Sequence, residues 1–179
     1  MEFQKFLVIG GARSGKSRFA QKLADESGRA KTIIVTAEAR DADMQQRILA
    51  HQADRDANWE TVEAPLELAQ AILQSQAQNV VMVDCLTLWL TNVMLADRDM
   101  EVAITELVSA VQMAQCSLVL VSNEVGLGIV PETAMGRDFR DWQGWLNQRI
   151  AQVCDGTAVM VSGFPLLLKP SALPDIRLK

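Results

Sequence analysis

Apolar residues along this chain fall into short unbroken runs, separated by longer stretches in which they recur every third or fourth position. The runs Phe6-Leu7-Val8-Ile9, Lys31-Thr32-Ile33-Ile34-Val35-Thr36, Asn79-Val80-Val81-Met82-Val83-Asp84 and Cys116-Ser117-Leu118-Val119-Leu120-Val121-Ser122 show little polar alternation. Strands buried on both faces read this way, so these segments, with residues 157–163, predict a mainly parallel sheet. Helical spacing covers residues 17–24, 66–73, 86–96, 100–115 and 136–153, and a more polar helix is expected at 42–56. On that polar helix Met44, Ile48 and His51 share one stripe, with Arg47 and Arg55 close to it. Residues 58–65 read as extended up to Pro65, and 165–179 as an irregular tail with three prolines, which makes 157–163 the last expected strand. The helix at 136–153 carries Phe139, Trp142, Leu146, Ile150 and Val153 on one side and Arg140, Gly144, Asn147 and Ala151 on another. That second face is either solvated or covered by a partner. Strand and helix alternate from end to end without repeat or linker, which predicts a single α/β domain over residues 1–179 with helices on both faces of the sheet.

Composition narrows the function classes mainly by exclusion. Net charge is −5, and no block of Lys or Arg forms a stripe that would track a nucleic-acid backbone, so nucleic acid is not an expected partner. No apolar run reaches bilayer length, and Met1-Glu2-Phe3-Gln4-Lys5 lacks a signal-peptide pattern, so a cytoplasmic protein without a transmembrane segment is expected. Cys85, Cys116 and Cys154 have spacing that suits neither a zinc knuckle nor a disulfide framework, and they read as reduced, buried thiols.

The first apolar run leads directly into Gly10-Gly11-Ala12-Arg13-Ser14-Gly15-Lys16-Ser17, a complete match to the phosphate-binding P-loop pattern G-x-x-x-x-G-K-[ST]. Glycine lets successive backbone N–H groups turn inward around an anion, and the following helix adds the positive end of its dipole. Lys16 is expected to reach the β- and γ-phosphates, and the Ser17 hydroxyl to enter a Mg²⁺ shell otherwise made of phosphate oxygens and water. Asp84 closes an apolar run at the carboxyl end of a strand, where ligands of open α/β sheets lie. It either serves metal and nucleotide as a Walker B residue or caps the helix that follows. The glycine-punctuated loop 123–131 is placed on the same side. Together these features predict a P-loop NTPase-type, RecA-like fold and a Mg²⁺-dependent enzyme acting on a nucleoside triphosphate. His51, the only histidine, is either a structural side chain or a nucleophile for phosphorus.

Several further segments carry a resemblance. The P-loop, Arg47-Ile48-Leu49-Ala50-His51, Trp59-Glu60-Thr61-Val62-Glu63, Asp84-Cys85-Leu86-Thr87, Ser122-Asn123-Glu124-Val125-Gly126-Leu127-Gly128-Ile129-Val130-Pro131 and Arg137-Asp138-Phe139-Arg140-Asp141 together resemble the bifunctional adenosylcobinamide kinase/adenosylcobinamide-phosphate guanylyltransferases of cobalamin biosynthesis. The resemblance implies that ATP or GTP phosphorylates the aminopropanol hydroxyl of adenosylcobinamide. It further implies that GTP places GMP on a histidine, here His51, from which adenosylcobinamide phosphate takes it to give adenosylcobinamide-GDP. Carried over by position, Gly10, Gly11, Ala12, Arg13, Ser14, Gly15, Lys16 and Ser17 bind the triphosphate. Thr36, Ala37 and Glu38 border the nucleotide, and Gln52, Ala53, Asp54 and Arg55 follow the nucleophile. Glu63 either accepts the N–H groups of the guanine edge, or contacts the ribose, or is simply an exposed strand residue. The residue before His51 is Ala50, where some relatives have a second histidine. The resemblance also implies a homotrimer. Two other readings stay open: a P-loop kinase or NTPase with a structural histidine, and a nucleotide-sensing module without turnover.

Overall fold

The computed structural model describes residues 1–38 and 58–170. In chain order it contains β1 (Lys5–Gly10), α1 (Lys16–Glu26), β2 (Lys31–Val35), β3 (Trp59–Glu63), α2 (Leu68–Gln74), β4 (Val80–Asp84), α3 (Leu86–Leu95), α4 (Met100–Met113), β5 (Ser117–Asn123), α5 (Ala134–Val153), β6 (Gly156–Val161) and β7 (Phe164–Lys169). The seven strands form one sheet in the order β3-β2-β4-β5-β1-β6-β7. Every pairing is parallel except that of β6 with β7. The expected polar helix at 42–56 lies outside the described residues.

Each expected strand among the described residues forms, because its unbroken apolar run has a covered surface on both sides. Alternation along the strands sorts the core into two clusters. Leu7, Ile34, Val81, Val83, Leu118 and Leu120 point to one face, where α2, α3, α4 and α5 pack around Trp89, Ile104, Leu107, Leu146 and Ile150. Phe6, Val8, Ile33, Val80, Met82, Val119 and Val121 point to the other, which α1 covers through Ala20 and Ala24. Helix starts follow local chemistry: the Asp99 side chain accepts from the Val102 N–H at α4, and Thr133 Oγ1 accepts from the Gly136 N–H at α5. The Thr133 cap starts α5 two residues before the expected position 136.

The chain beyond residue 163 corrects the expectation of an irregular tail. Phe164–Lys169 is a seventh strand, antiparallel to β6. Ser162 and Gly163 both have positive φ, 51° and 86°, as a two-residue hairpin turn of the I′ kind requires. Pro165 is tolerated because β7 is an edge strand, where a missing N–H breaks no inner ladder. No helix among the described residues is long and apolar enough to cross a membrane.

Candidate active site

The P-loop joins β1 to α1 at the carboxyl edge of the sheet, and two of its glycines are obligatory. At Gly10, with φ 150°, an added Cβ would lie 2.7 Å from the Met160 carbonyl oxygen and 2.8 Å from Ser14 Oγ. Gly15 has φ 96° and stands at the N-cap of α1 without contributing a capping side chain, so the first amides of that helix are left for a ligand. Arg13 also takes a left-handed φ of 55°, a strain of the kind that concentrates at binding loops. The β6–β7 turn supports the loop from outside: the Gly163 N–H donates to the Ser14 carbonyl at 3.0 Å. Ser14 Oγ is buried without a partner among the described residues.

Lys16 is buried, and its Nζ donates to the Gly11 carbonyl at 2.6 Å across its own loop. Burial pushes its pKa below the ordinary 10.5, opposed by the nearby Cys85 and Asp84. An ammonium held this way lacks a full counter-charge, which an anion entering the loop supplies. Ser17, at the start of α1, donates through Oγ to Asp84 Oδ1 at 3.4 Å, so hydroxyl and carboxylate converge although 67 residues apart. The described residues contain no group of three or more His, Cys, Asp or Glu able to hold a metal by themselves. Ser17 and Asp84 do fit a Mg²⁺ that draws its other ligands from phosphate and water.

Around Asp84 the backbone is fixed by β2. Thr36 is fully buried, and its Oγ1 both donates to the Cys85 carbonyl at 2.7 Å and accepts from the Cys85 N–H at 3.0 Å. The Thr36 carbonyl accepts from Asn92 Nδ2 at 2.7 Å. Thr36 therefore borders the site as a brace, its hydroxyl being taken up by the protein. The peptide between Asp84 and Cys85 is cis. Cys85 is half-buried, unlike Cys116 and Cys154, which are fully buried as expected; all three are free thiols. Burial and the Asp84 charge push the Cys85 thiol up to about 11.

At the tip of β5 lies a cluster whose convergence the sequence does not indicate, although Thr87, Ser122 and Asn123 belong to the resembling segments. Thr87 Oγ1 accepts from the Asn123 N–H at 2.8 Å, and Asn147 Nδ2 donates to the Asn123 carbonyl at 3.0 Å. Asn147 Oδ1 in turn accepts from Ser122 Oγ at 2.6 Å and from Gln143 Nε2 at 3.0 Å. Gln143 and Asn147 sit on α5, and both are buried, so the polar side of that helix faces the sheet in part rather than solvent. The one sequence signal was the pair of polar residues ending an apolar strand run. Of the remaining expected site residues, Gly11, Ala12 and Arg13 are exposed on the loop, and Ala37 and Glu38 are half-buried beyond β2. Glu63 is exposed at the carboxyl end of β3, in register with Val35. It lies two strands from Asp84 and four from Gly10, roughly 10 and 19 Å at ordinary strand spacing. His51, Gln52, Ala53, Asp54 and Arg55 lie outside the described residues.

Comparison with known proteins places this geometry. The profile of the cobinamide kinase / cobinamide phosphate guanyltransferase family matches residues 6–168. The chain belongs to this family. It is 46% identical over 171 residues to the bifunctional adenosylcobalamin biosynthesis protein CobP of Pseudomonas aeruginosa, covering 93% of this chain and 98% of that one. It is 36% and 38% identical to the bifunctional adenosylcobalamin biosynthesis proteins CobU of Salmonella typhimurium and Escherichia coli, each match covering 91% of this chain and 98% of the relative. Among solved structures it resembles the RadB recombinase, with a TM-score of 0.51 at 11% identity, covering 87% of this chain and 73% of that one. It also resembles the flagellar accessory protein FlaH from Methanocaldococcus jannaschii, with a TM-score of 0.50 at 11% identity, covering 92% and 77%. These structural likenesses show a shared RecA-like P-loop fold, as expected from the sequence. As a member of the cobinamide kinase/guanyltransferase family the chain is a bifunctional enzyme of cobalamin biosynthesis.

Proposed function

We propose that this enzyme phosphorylates the aminopropanol hydroxyl of adenosylcobinamide with ATP or GTP, then passes GMP from GTP through a covalent histidine adduct to give adenosylcobinamide-GDP. The observation that carries the reading is the convergence of Lys16, Ser17 and Asp84 at the P-loop within a chain whose family performs both reactions. His51 is the only histidine available as nucleophile. In guanylyl transfer its ring nitrogen bonds the α-phosphorus, and the bond to the bridging oxygen breaks with its electron pair leaving on pyrophosphate. A phosphate oxygen of adenosylcobinamide phosphate then attacks the same phosphorus, and the P–N bond breaks with its electron pair returning to the imidazole, giving adenosylcobinamide-GDP and free histidine.

Loop amides from Gly10 to Ser17 and the Lys16 ammonium hold the phosphates, exchanging the internal Lys16–Gly11 contact for the ligand. Ser17 and Asp84 would hold a Mg²⁺, which would supply neutralisation of phosphate charge as it develops. Glu63, with Thr36 to Glu38 between it and the loop, suits the guanine end of a nucleotide laid along the carboxyl edge of the sheet. Gln52, Ala53, Asp54 and Arg55 accompany the nucleophile. One domain spanning 1–179 carries both activities in the cytoplasm. Three copies assemble, and exposed Trp145, Phe164, Leu166 and Leu168 supply apolar surface for that assembly.

The deciding experiment incubates the protein with Mg²⁺ and GTP labelled at the α-phosphorus, then denatures it, with His51→Ala alongside. Base-stable, acid-labile label on the wild type and none on the variant is the expected result. Bound GTP with no label on either protein overturns the covalent mechanism and leaves a P-loop kinase with a structural histidine.

A further inference from the structure

We propose that Asn123 grips the terminal phosphoryl group of the bound triphosphate, and that it serves phosphoryl transfer to the corrinoid hydroxyl without serving guanylyl transfer to the protein. The inference rests on the two-reaction reading above.

Topology supplies the first argument. β5 lies between the strand that feeds the P-loop and the strand that ends in Asp84. Gly10 is in register with Asn123, whereas Asp84 is in register with Val121, so Asn123 reaches one full alternation farther along the carboxyl edge than Asp84 does. Alternation also fixes the face. Val119 and Val121 enter the cluster under α1, and Asn123 follows them to that side, which is also the side of Met82 and hence of Asp84. The residue thus stands between phosphate loop and metal-binding carboxylate, where the third phosphate of a chain cradled from α1 must lie.

The second argument is the rigidity of the tip. Asn123 N–H donates to Thr87 Oγ1, its carbonyl accepts from Asn147 Nδ2, and the next N–H, of Glu124, donates to the Gly10 carbonyl at 3.0 Å. Every backbone polar group that could let the tip rotate is occupied. The Asn123 side-chain amide has no hydrogen-bond partner among the described residues. Holding it there uses Asn147, Ser122 and a fully buried Gln143 whose Oε1 has no partner among the described residues, an arrangement with an energetic cost. A strand end that merely turned into a loop would not need such a frame.

Chemistry supplies the third. A neutral amide donates N–H to a non-bridging γ-oxygen without adding negative charge beside Asp84. In the step it serves, the corrinoid hydroxyl oxygen bonds the γ-phosphorus. The bond from that phosphorus to the β–γ bridging oxygen breaks, its electron pair leaves on the nucleoside diphosphate, and the hydroxyl proton passes to solvent. Charge on the γ-oxygens is met by the Asn123 N–H throughout. In guanylyl transfer the reacting atom is the α-phosphorus, beyond the reach of this amide.

The test measures both half-reactions on wild type, Asn123→Ala and the neutral, near-isosteric Asn123→Leu, using γ-labelled nucleotide with cobinamide and α-labelled GTP without it. Both variants are expected to lose about 10²- to 10³-fold in the rate of γ-phosphoryl transfer. Nucleotide KM and the rate of GMP capture should each move less than about threefold. Asn123→Leu carries the test if Asn123→Ala does not fold. An equal fall in both reactions, or no fall in phosphoryl transfer, overturns the proposal. A wild type that transfers neither group overturns the two-reaction reading and this inference with it, a result distinct from an active wild type whose variants are unchanged.

Discussion

The two faces of the sheet divide the labour unequally. Of the described residues, the face under α2, α3, α4 and α5 buries a core of 21, and the face under α1 a core of 11. The smaller side carries Lys16, Ser17, Asp84 and Asn123; the larger carries Trp89, Ser122, Gln143 and Asn147. Neighbouring residues of one strand therefore belong to different tasks, Ser122 to the frame and Asn123 to the ligand. Among the described residues burial is concentrated on the face away from the phosphate loop, which lets the loop's side hold a desolvated ammonium and left-handed backbone at Arg13 without threatening the fold.

That division can be broken at its strongest point first. Trp89, buried with its indole N–H donating to the Leu66 carbonyl at 3.0 Å, anchors the larger face. Trp89→Ala should lower unfolding free energy by about 3–5 kcal/mol, seen as a lower midpoint in urea, while activity survives below the transition. Lys16→Ala should do the converse. GMP capture falls by at least about 10²-fold, whereas the thermal midpoint holds or rises, because a buried charge disfavoured by desolvation has been removed. A collapse of stability in that variant would show that the two faces are not separable.

The joint between the faces gives an intermediate effect. Asn147→Ala leaves the Asn123 carbonyl without its donor and the Ser122 hydroxyl, which still accepts from Gln143 Nε2, without its acceptor, and should cost about 1–3 kcal/mol in stability, with phosphoryl transfer falling beside it. Thr133→Ala removes the α5 cap, roughly 21 Å along the helix from Asn147 at 1.5 Å per residue, and should cost about 1 kcal/mol with no change in turnover.

The smallest effect concerns Cys85, which borders the reactive side but does not act there. Its thiol is raised from the ordinary 9.0 to about 11, so between those values the folded state keeps a proton that the unfolded state releases. Stability should therefore decline slightly as pH climbs through that window. Thiol reagents should modify Cys85 slowly near neutrality and faster as pH approaches 11, which timed labelling with mass analysis would record.

Much of the reactive side was legible in the chain because phosphate binding demands a contiguous pattern. Gly10, Gly15, Lys16 and Ser17 must stand at fixed spacing for the loop to close, and the following helix is part of the same motif. Asp84 was legible in position, at the end of an apolar run, and the structure adds the hydrogen bond that it accepts from Ser17 Oγ. Thr36 is expected from the sequence to border the nucleotide, and in the structure its hydroxyl belongs to the frame, bonded to Cys85, a residue 49 positions away. The Gln143–Asn147–Ser122 cluster escaped because helical spacing alone does not tell a polar face turned to water from one turned to a strand tip. β7 escapes the sequence because Pro165 and Pro170 read as breakers, while the Ser162-Gly163 pair that turns the chain reads as a strand end. An edge position relaxes the very rule that made the prolines informative.

The hairpin turn at Gly163 reaches beyond architecture into how this protein can be handled. Its amide latches the Ser14 carbonyl, so the phosphate loop is completed by chain lying almost 150 residues downstream of it. Tags, fusions and shortened variants that end before that turn would leave the nucleotide motif whole in sequence yet unlatched in space. Their loss of activity would report the missing Gly163 latch together with the missing β7, and not the excised segment alone.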